Sequence, residues 1–220
     1  MTMPPINHLE DAAIKLPRIL LVDDHRMFLD GLQLVLERIS EKVVSMISVR
    51  EALASLEAGA QFDIILTDLH MPGLDGYSFI QALQERQIFT PVMIVSAADD
   101  AATISRAMAQ GAQAYLPKSA SAERIIEGIQ RVMLGEVYIA PELPLELGAQ
   151  VKNKTDEVFI SPRQKAVLSL VANGYSNKDV SMTLNITEAT VKSHLNSIFK
   201  ILAVQNRTAC VKRANELNIL

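Results

Sequence analysis

The stretch RILLVDDH, residues 18–25, places two adjacent carboxylates directly after a continuous apolar run. Such a run is typical of a strand whose two faces are both covered, as in a parallel sheet. Asp23 and Asp24 then stand side by side at the end of a buried strand. Like charges repel, and neither can be buried without a partner except at a large cost. The stretch therefore indicates a strand that leads into a site where something offsets two negative charges.

Length and composition describe an ordinary globular protein. The chain has 220 residues, of which 49% are hydrophobic and 21% are charged, which suits one or two domains with substantial cores. Cys210 is the single cysteine, which excludes a disulfide framework within the chain and favours a buried free thiol. The first residues lack the pattern of a secretory signal, and no apolar stretch reaches membrane-spanning length. We therefore expect a cytoplasmic protein with no membrane-embedded part.

The net charge of −4 hides an asymmetry between the two ends of the chain. From Phe159 to Leu220, eight lysines and arginines stand against three acidic residues, a formal charge of +5. The preceding 158 residues therefore carry −9. An acidic larger part joined to a basic smaller part predicts two modules with different partners, and the basic module is a candidate for binding phosphate backbones.

The acidic part alternates short apolar runs with amphipathic helical patterns. The strand candidates are RILLV, VVSMI, DIILT, PVMIV and AYL, and residues 27–39 are one of the helices between them. This alternation predicts an α/β fold, with a parallel sheet covered by helices on both faces. Ligands of such sheets bind at the carboxyl ends of the strands, which is where Asp23 and Asp24 lie.

Composition also predicts where the modules begin and end. We predict an N-terminal extension over residues 1–16, an α/β domain over 17–135, a linker over 136–158 and a helical domain over 159–220. The linker prediction rests on two prolines, a glycine and a charged, polar tail after the last amphipathic helix of the acidic part.

Three further polar residues come at the ends of the predicted strands. Asp68 follows DIILT, Ser96 follows PVMIV, and Lys118 comes shortly after AYL. Any one of them could be a turn residue, a helix cap or a solvated lysine. As a set at one edge, with Asp23 and Asp24, they suit a Mg²⁺ ion that neutralises the carboxylates, an anionic nucleophile at Asp68, and a cation and hydroxyl facing a transferred phosphoryl group.

These motifs carry a resemblance. Through LLVDDH, DIILTDLHMPGLDG, VSA and AYLPKS, residues 17–135 resemble the receiver domain of two-component response regulators. The resemblance implies a doubly wound five-stranded parallel sheet in which Asp68 accepts a phosphoryl group from a sensor histidine kinase or a small phosphodonor. It also implies that Asp24 and Asp68 bind Mg²⁺ directly, that Asp23 does so through water, and that the backbone carbonyl of His70 completes the protein ligands.

The resemblance further assigns roles in switching. Ser96 would bond the phosphoryl oxygens on activation, Lys118 would pair with them, and Tyr115 would be the aromatic residue that changes rotamer. The His70 side chain invites a metal-ligand or general-acid interpretation. Because it follows Asp68 by two residues, we instead expect it at the mouth of the pocket, where it would tune the lifetime of the phosphorylated state.

The basic part contains residues that typically begin and end short helices. Ser161 and Pro162 suit an N-cap and first helical position, Gly174 a helix end, and Ser176 and Thr187 the N-caps of two further helices. In the last of these, one stripe is apolar (Val191, Leu195, Ile198 and Leu202) and the opposite side is polar and free of acids (Lys192, Ser193, Asn196 and Lys200). A short helix, a tight turn and a helix with an acid-free outer face predict a helix-turn-helix, although such a face could also be merely solvated.

Residues 159–220 resemble the LuxR-type helix-turn-helix of response-regulator transcription factors, through GYSNKDVS and TVKSHLNSIFKILAVQNRTACV. The resemblance implies binding to double-stranded DNA, with a final helix from Asn206 used for dimer contact. Base contacts would come from Lys192, Ser193 and Asn196, phosphate contacts from Lys178 and Thr190, and Lys200 would lie on the same outer face. The chain departs from the family pattern at Gln164, Ala166, Ile201 and Ala203, which affects packing and backbone contacts.

The leading hypothesis is a phosphorylation-controlled DNA-binding transcription factor that dimerises on activation. A second hypothesis is a regulator whose receiver works without phosphorylation, through a protein or small-molecule partner; the intact set of five site residues disfavours it. A third is a metal-dependent phosphotransferase or phosphatase. It would need an acid or base placed for turnover, and LHMPGLDG offers little besides His70. We therefore do not predict an enzyme.

Overall fold

The structure is a computed structural model that describes residues 16–144, 160, 162–184 and 186–220. For Pro162, Arg163, Ala189 and Ser193 it describes the backbone only. The predicted N-cap Ser161, almost all of the predicted N-terminal extension and most of the predicted linker lie outside the described residues.

A parallel sheet forms the centre of the first domain. Its strands are β1 (Arg18–Val22), β2 (Lys42–Met46), β3 (Ile64–Thr67), β4 (Val92–Ser96), β5 (Ala114–Pro117) and β6 (Tyr138–Ile139), in the spatial order β2-β1-β3-β4-β5-β6. All pairs are parallel, and Ile19 of β1 lies between Val43 and Ile64. The chain order reverses next to β1, so the ends of β1 and β3 flank the crevice where this class of sheet binds ligands.

Five helices connect the strands: α1 (Arg26–Leu36), α2 (Val49–Glu57), α3 (Gly76–Glu85), α4 (Ala101–Ala109) and α5 (Ala122–Met133). Helix α1 packs beside α5, and α2 packs beside α3. The side chains of Ser48, Asp75, Asp100 and Ser121 each cap a helix by accepting a hydrogen bond from a backbone N–H in its first turn. The strands β1, β3, β4 and β5 are almost wholly buried, which confirms the predicted parallel sheet covered on both faces.

The sheet has six strands, whereas the family resemblance implies five. Residues predicted to begin the linker form β6: the Tyr138 N–H donates to the Gln113 carbonyl at 3.0 Å, and the Ala140 N–H donates to the Tyr115 carbonyl at 3.0 Å. An unpaired edge of β5 would leave these carbonyls without a partner in the sheet. Ala140 and Leu143 are then buried in the same core. The first part of the predicted linker therefore completes the receiver sheet.

The second domain is helical. It contains α6 (Pro162–Ala172), α7 (Asn177–Thr183), α8 (Glu188–Ile201) and α9 (Arg207–Glu216), which pack around a separate core. The predicted apolar stripe of α8 is confirmed, since Val191, Leu195, Ile198 and Leu202 are all at most 6% exposed. Cys210 is buried in this core, as expected. Within the described part of the chain, no helix combines the length and apolarity needed to cross a bilayer.

Candidate functional site

Two carboxylates and one lysine meet at the carboxyl ends of β1, β3 and β5. Asp23 and Asp68 are 2% and 4% exposed. The Lys118 ammonium lies 2.7 Å from Asp23 Oδ2 and 2.8 Å from Asp68 Oδ2, and its side chain is 17% exposed. Each element brings one charge, because the three strands end at one edge of a parallel sheet. Two buried anions bridged by one cation are chemically a site for a further cation or for an incoming phosphoryl group.

A second pair of groups lies at the mouth of the same site. His25 Nδ1 lies 3.0 Å from Asp23 Oδ1 and 2.9 Å from Asp24 Oδ1, and the Asp24 side chain is 30% exposed. The His25 backbone N–H also donates to Asp23 Oδ1 at 2.8 Å. Asp23, Asp24, His25 and Asp68 each offer a ligand atom, and these atoms all lie within 4.8 Å of one another.

The donor set fits a hard divalent cation. Three carboxylates provide the oxygen ligands that Mg²⁺ prefers, and the partly exposed Asp24 leaves room for the waters that Mg²⁺ keeps. His70 is exposed, and its imidazole does not belong to the group of close ligand atoms. The structure therefore gives the His70 side chain no place among the candidate metal ligands, and its predicted position at the mouth stays a prediction.

The loop after Asp68 is held in place by its backbone. The Leu69 N–H donates to Asp68 Oδ1 at 2.6 Å, and the Gly76 N–H donates to the Leu69 carbonyl at 2.9 Å. A Cβ on Gly76 would collide with the Asp68 carbonyl oxygen and would lie 2.9 Å from Leu69 Cα. Asp75 closes the loop by accepting from the Ser78 N–H at 2.7 Å. LHMPGLDG thus serves to fix the Asp68 carboxylate.

The two predicted switch residues lie on the neighbouring strands. Ser96 and Tyr115 are both 0% exposed. The Tyr115 hydroxyl donates to the Ala98 carbonyl at 2.7 Å, and the Ala98 N–H donates to Ser96 Oγ at 3.4 Å. Tyr115 therefore points inward in this structure and is joined to Ser96 through the first residues of the β4–α4 loop.

Two groups of the site have shifted pKa values. Burial disfavours the charged form of Lys118, but hydrogen bonds and charge attraction from Asp23 and Asp68 outweigh it and raise the pKa of Lys118. Burial also raises the pKa of Tyr115, with a hydrogen bond from the Ser96 side chain acting in the opposite direction. Lys118 therefore stays a cation and Tyr115 a neutral donor at physiological pH.

Capping side chains fix the starts of both helices of the helix-turn-helix. Ser176 and Asp179 form a capping box at the start of α7, and Thr187 Oγ1 accepts from the Thr190 N–H at 3.1 Å at the start of α8. The Arg207 guanidinium donates to the Val171 carbonyl at 2.8 Å and to the Tyr175 carbonyl, which ties α9 to the end of α6.

The predicted DNA-contacting residues do not all face water. Lys178, Lys192, Asn196 and Lys200 are not buried, and the side chain of Ser193 lies outside the described part of the structure. Thr190, in contrast, is 2% exposed. Its hydroxyl donates to Asp63 Oδ1 of the receiver domain at 3.2 Å. One residue predicted to contact DNA phosphate is thus in contact with a receiver carboxylate.

Two more contacts join α8 to the receiver. The Ser197 hydroxyl donates to the Gly135 carbonyl at 2.7 Å, and the Lys200 ammonium lies 3.1 Å from Glu136 Oε1. Glu136 also pairs with Arg131 at 2.9 Å. Asp63 precedes β3 and Glu136 precedes β6, so α8 lies against the amino-terminal edge of the sheet. The acidic site occupies the opposite edge.

Two departures from the family pattern have visible consequences. Gln164 donates to the Ser197 hydroxyl at 2.9 Å, so α6 is joined to α8 by a buried hydrogen bond at this position. Ala203 adopts φ 53° at the end of α8, a conformation that glycine adopts without strain. Alanine is less suited to this conformation than the glycine that the family resemblance implies at this position.

Sequence reasoning missed three residues of these sites: His25, Asp63 and Glu136. The signal for His25 was present, since an imidazole directly after two site carboxylates is a candidate ligand. Asp63 and Glu136 gave no signal, because acids before a strand are usually solvated. Their importance comes from tertiary contacts with α8.

Comparisons with known proteins agree with this architecture. Residues 19–130 match the family described as response regulator receiver domain, and residues 158–214 match bacterial regulatory proteins, luxR family. The chain is 30% identical over 206 residues to the transcriptional regulatory protein MctR of Rhizobium johnstonii, covering 92% of this chain and 95% of that protein. It is 29% identical over 195 residues to the nitrate/nitrite response regulator protein NarL of Escherichia coli strain K12, covering 86% and 90%.

A solved structure of two RcsB dimers bound to two parallel DNAs has a similar fold, with 21% sequence identity and a TM-score of 0.52, covering 91% of this chain and 98% of that chain. The family matches are those of a DNA-binding regulator. The receiver match alone spans half of the chain. The chain belongs to the response regulators that join an N-terminal receiver domain to a C-terminal LuxR-type DNA-binding domain.

Proposed function

We propose that this chain is a phosphorylation-controlled transcription regulator in which Asp68 accepts a phosphoryl group from a sensor histidine kinase. The observation that carries the proposal is the Asp68 carboxylate itself. It is buried, is held by the Leu69 N–H at 2.6 Å and the Lys118 ammonium at 2.8 Å, and lies within 4.8 Å of ligand atoms of Asp24 and His25.

In the transfer step, an Asp68 carboxylate oxygen forms a bond to the phosphorus of the donor. The bond between phosphorus and the donor atom breaks, and its electron pair leaves with the donor. The Lys118 ammonium is placed to bind the oxygens of the transferred group, because it already bridges Asp23 and Asp68. The raised pKa of Lys118 keeps this charge in place.

The same site would hold Mg²⁺ on the carboxylates of Asp24 and Asp68 and on the backbone carbonyl of His70, with Asp23 binding the ion through water. When bound, the ion supplies positive charge to phosphoryl oxygens and offsets the crowded carboxylates. This explains why two adjacent acids end a core strand.

Phosphorylation would be relayed through Ser96 and Tyr115. A phosphoryl group on Asp68 adds oxygen acceptors that the buried Ser96 hydroxyl can bond. Because Ser96 and the Tyr115 hydroxyl share Ala98 as a hydrogen-bond partner, a shift of Ser96 changes the loop against which Tyr115 is held. The receiver thus has a two-state element that the phosphoryl group can bias.

The output would be binding of double-stranded DNA by a homodimer. Lys192, Asn196 and Lys200 are exposed on α8, and Lys178 is exposed on α7. The RcsB structure, with dimers bound to DNA, supports this output by analogy. Two recognition helices on a pseudo-palindromic site multiply weak half-site affinities.

In this structure, the receiver contacts α8 through Asp63, Gly135 and Glu136. We infer that phosphorylation weakens these contacts and frees Thr190 and Lys200 to contact DNA. The alternative is a regulator that responds to a protein or small molecule without phosphorylation. It would leave the buried Asp68–Lys118 pair without a chemical role.

The test is intact-mass measurement of the wild type and Asp68→Asn after incubation with a small phosphodonor, with and without Mg²⁺. An asparagine side chain has the shape of the aspartate but lacks the nucleophilic carboxylate. We expect one phosphoryl adduct on the wild type in the presence of Mg²⁺ and none on the variant.

An adduct on Asp68→Asn, or one that forms equally well after chelation of divalent ions, would contradict the proposal. No adduct under any condition would favour the phosphorylation-independent alternative, once incubation with sensor kinases has also failed. Glu57→Gln is a control, because Glu57 lies on α2 and is paired with Arg86, away from the acidic site.

A further inference from the structure

The most specific unexplained feature of the site is the ring of His25. His25 is the N-cap residue of α1, a position where a side chain usually accepts a hydrogen bond from the first helical turn. Its side chain makes no such bond. The ring points instead at the carboxylates, with Nδ1 at 3.0 Å from Asp23 Oδ1 and 2.9 Å from Asp24 Oδ1.

The distance between His25 Nδ1 and Asp24 Oδ1 fits two neighbouring ligands of one metal ion. An octahedral ion with bonds of about 2.1 Å separates neighbouring ligand atoms by about 3.0 Å. The His25 nitrogen and the Asp24 oxygen have this separation. Asp68 also offers an oxygen within the same 4.8 Å group.

A cation already lies beside the ring in the structure. The Lys118 ammonium is 3.4 Å from His25 Nδ1, 2.7 Å from Asp23 Oδ2 and 2.8 Å from Asp68 Oδ2. The His25 nitrogen and the carboxylates of Asp23 and Asp68 therefore surround a positive centre. The His25 side chain is 65% exposed, so an ion can reach it from water.

We propose that His25 Nδ1 is a metal ligand in this chain, which makes the acidic site a mixed nitrogen and oxygen site that binds first-row transition-metal dications more tightly than Mg²⁺. The inference rests on the proposed metal site and goes beyond it. Imidazole favours Mn²⁺, Co²⁺ and Ni²⁺ in rising order, whereas Mg²⁺ favours oxygen ligands alone. Asp68 would then be phosphorylated at lower concentrations of Mn²⁺ than of Mg²⁺.

The simpler interpretation is that the ring only donates a hydrogen bond to Asp23 Oδ1. It predicts no bond between nitrogen and metal. His70 provides a matched control, because it is also an exposed histidine near Asp68 but lies outside the group of close ligand atoms.

The experiment is pulsed electron paramagnetic resonance of Mn²⁺ bound to the full-length, untagged wild type, His25→Gln and His70→Gln. Glutamine keeps a polar side chain but lacks a ring nitrogen. We expect a ¹⁴N coupling of a directly bound imidazole in the wild type and His70→Gln, and its loss in His25→Gln. Calorimetric titration with Ni²⁺ should show affinity for His25→Gln lowered by about tenfold or more, while Mg²⁺ affinity changes by less than about threefold.

The outcomes distinguish a failure of the His25 inference from a failure of the proposed metal site. If Mn²⁺ binds the wild type without ¹⁴N coupling, or the coupling persists in His25→Gln, His25 is not a ligand and only this inference fails. If Mn²⁺ binding is also unaffected by Asp24→Asn, or no Mn²⁺ binds at all, the proposed metal site itself is wrong, and the inference fails with it.

Discussion

The two edges of the receiver sheet hold charges in different ways. At the carboxyl edge, Lys118 bridges Asp23 and Asp68 at 2.7 and 2.8 Å, and all three side chains are mostly buried. At the amino edge, Lys200 meets Glu136 at 3.1 Å with 67% of its side chain exposed. Buried charges depend strongly on their partners, whereas exposed pairs are screened by water. The Lys118 bridge is suited to hold charge in a fixed place, and the Lys200–Glu136 pair is suited to form and separate.

The largest expected effect tests this contrast directly. Lys118→Ala would leave Asp23 and Asp68 buried and without their cation, and should destabilise the receiver by about 3–5 kcal/mol. Lys200→Ala, in an exposed pair, should change stability by less than about 1 kcal/mol. Urea unfolding monitored by circular dichroism at neutral pH measures both. Equal effects of the two substitutions would remove the proposed difference between the edges.

The ion pairs of Lys118 should also make the free energy of unfolding depend on pH. The folded-state pKa of Lys118 is raised above its ordinary value of 10.5. Its stabilising contribution is therefore complete below that ordinary value and is lost as the pH rises through the raised pKa. The wild type should lose stability over this alkaline range more steeply than Lys118→Ala. Parallel curves of unfolding free energy against pH would contradict this explanation.

Of the contacts that join α8 to the amino edge of the sheet, the one between Thr190 and Asp63 is expected to contribute most to stability. Thr190→Val keeps the shape of the side chain but removes the hydroxyl that donates to Asp63 Oδ1. The expected cost is about 1.5–3 kcal/mol, because a buried carboxylate oxygen loses a hydrogen bond. Thermal unfolding measures it, with Thr183→Val at an exposed position of α7 as the control. An effect no larger than that of the control would show that this contact does not hold α8.

Gly76 tests how firmly the carboxyl edge is fixed. A Cβ there would meet backbone atoms of Asp68 and Leu69, which cannot move without displacing the Asp68 carboxylate. Gly76→Ala should cost about 1–3 kcal/mol and slow phosphorylation. Gly31→Ala is the matched control, because nothing lies within 4 Å of the added Cβ in α1. The control should stabilise the chain by about 0.5–1 kcal/mol, as expected for alanine in a helix.

The smallest expected effect is at the end of the recognition helix. Ala203 adopts φ 53° at the residue after the C-cap Leu202, and the Val204 N–H donates to the Phe199 carbonyl at 2.9 Å. Ala203→Gly should therefore stabilise the DNA-binding domain by about 0.5–1 kcal/mol, since it relieves left-handed strain.

Ala54→Gly provides the opposite control, because Ala54 is exposed inside α2, where glycine costs about 1 kcal/mol. Both variants can be compared with the wild type by differential scanning calorimetry. Destabilisation by Ala203→Gly would mean that φ at this residue is not strained.

Much of the fold and the carboxyl edge could be predicted from the sequence, because both depend on local patterns. The continuous apolar strands and the residues after them place Asp23, Asp68, Ser96 and Lys118 at one edge of any parallel sheet. The capping residues and the apolar stripe of α8 likewise follow from spacing. These features need no knowledge of how the two domains pack.

The sixth strand and the amino edge could not be predicted in this way. Val137 to Ile139 has too few residues to distinguish a strand from a linker, and only the open edge of β5 decides it. The sequence suggests Thr190 as a phosphate contact, whereas in the structure its hydroxyl donates to Asp63, 127 residues away. Contacts of this kind depend on tertiary packing and have no periodic signature.

The most direct test of coupling between the two edges is hydrogen exchange of the full-length protein with and without a small phosphodonor, in the presence of Mg²⁺. We predict faster exchange of backbone amides at the contacts of α8 with Asp63, Gly135 and Glu136 in the phosphorylated wild type, and no change in Asp68→Asn. Unchanged exchange at these contacts, with an adduct on Asp68 verified by mass, would contradict the coupling of the two edges.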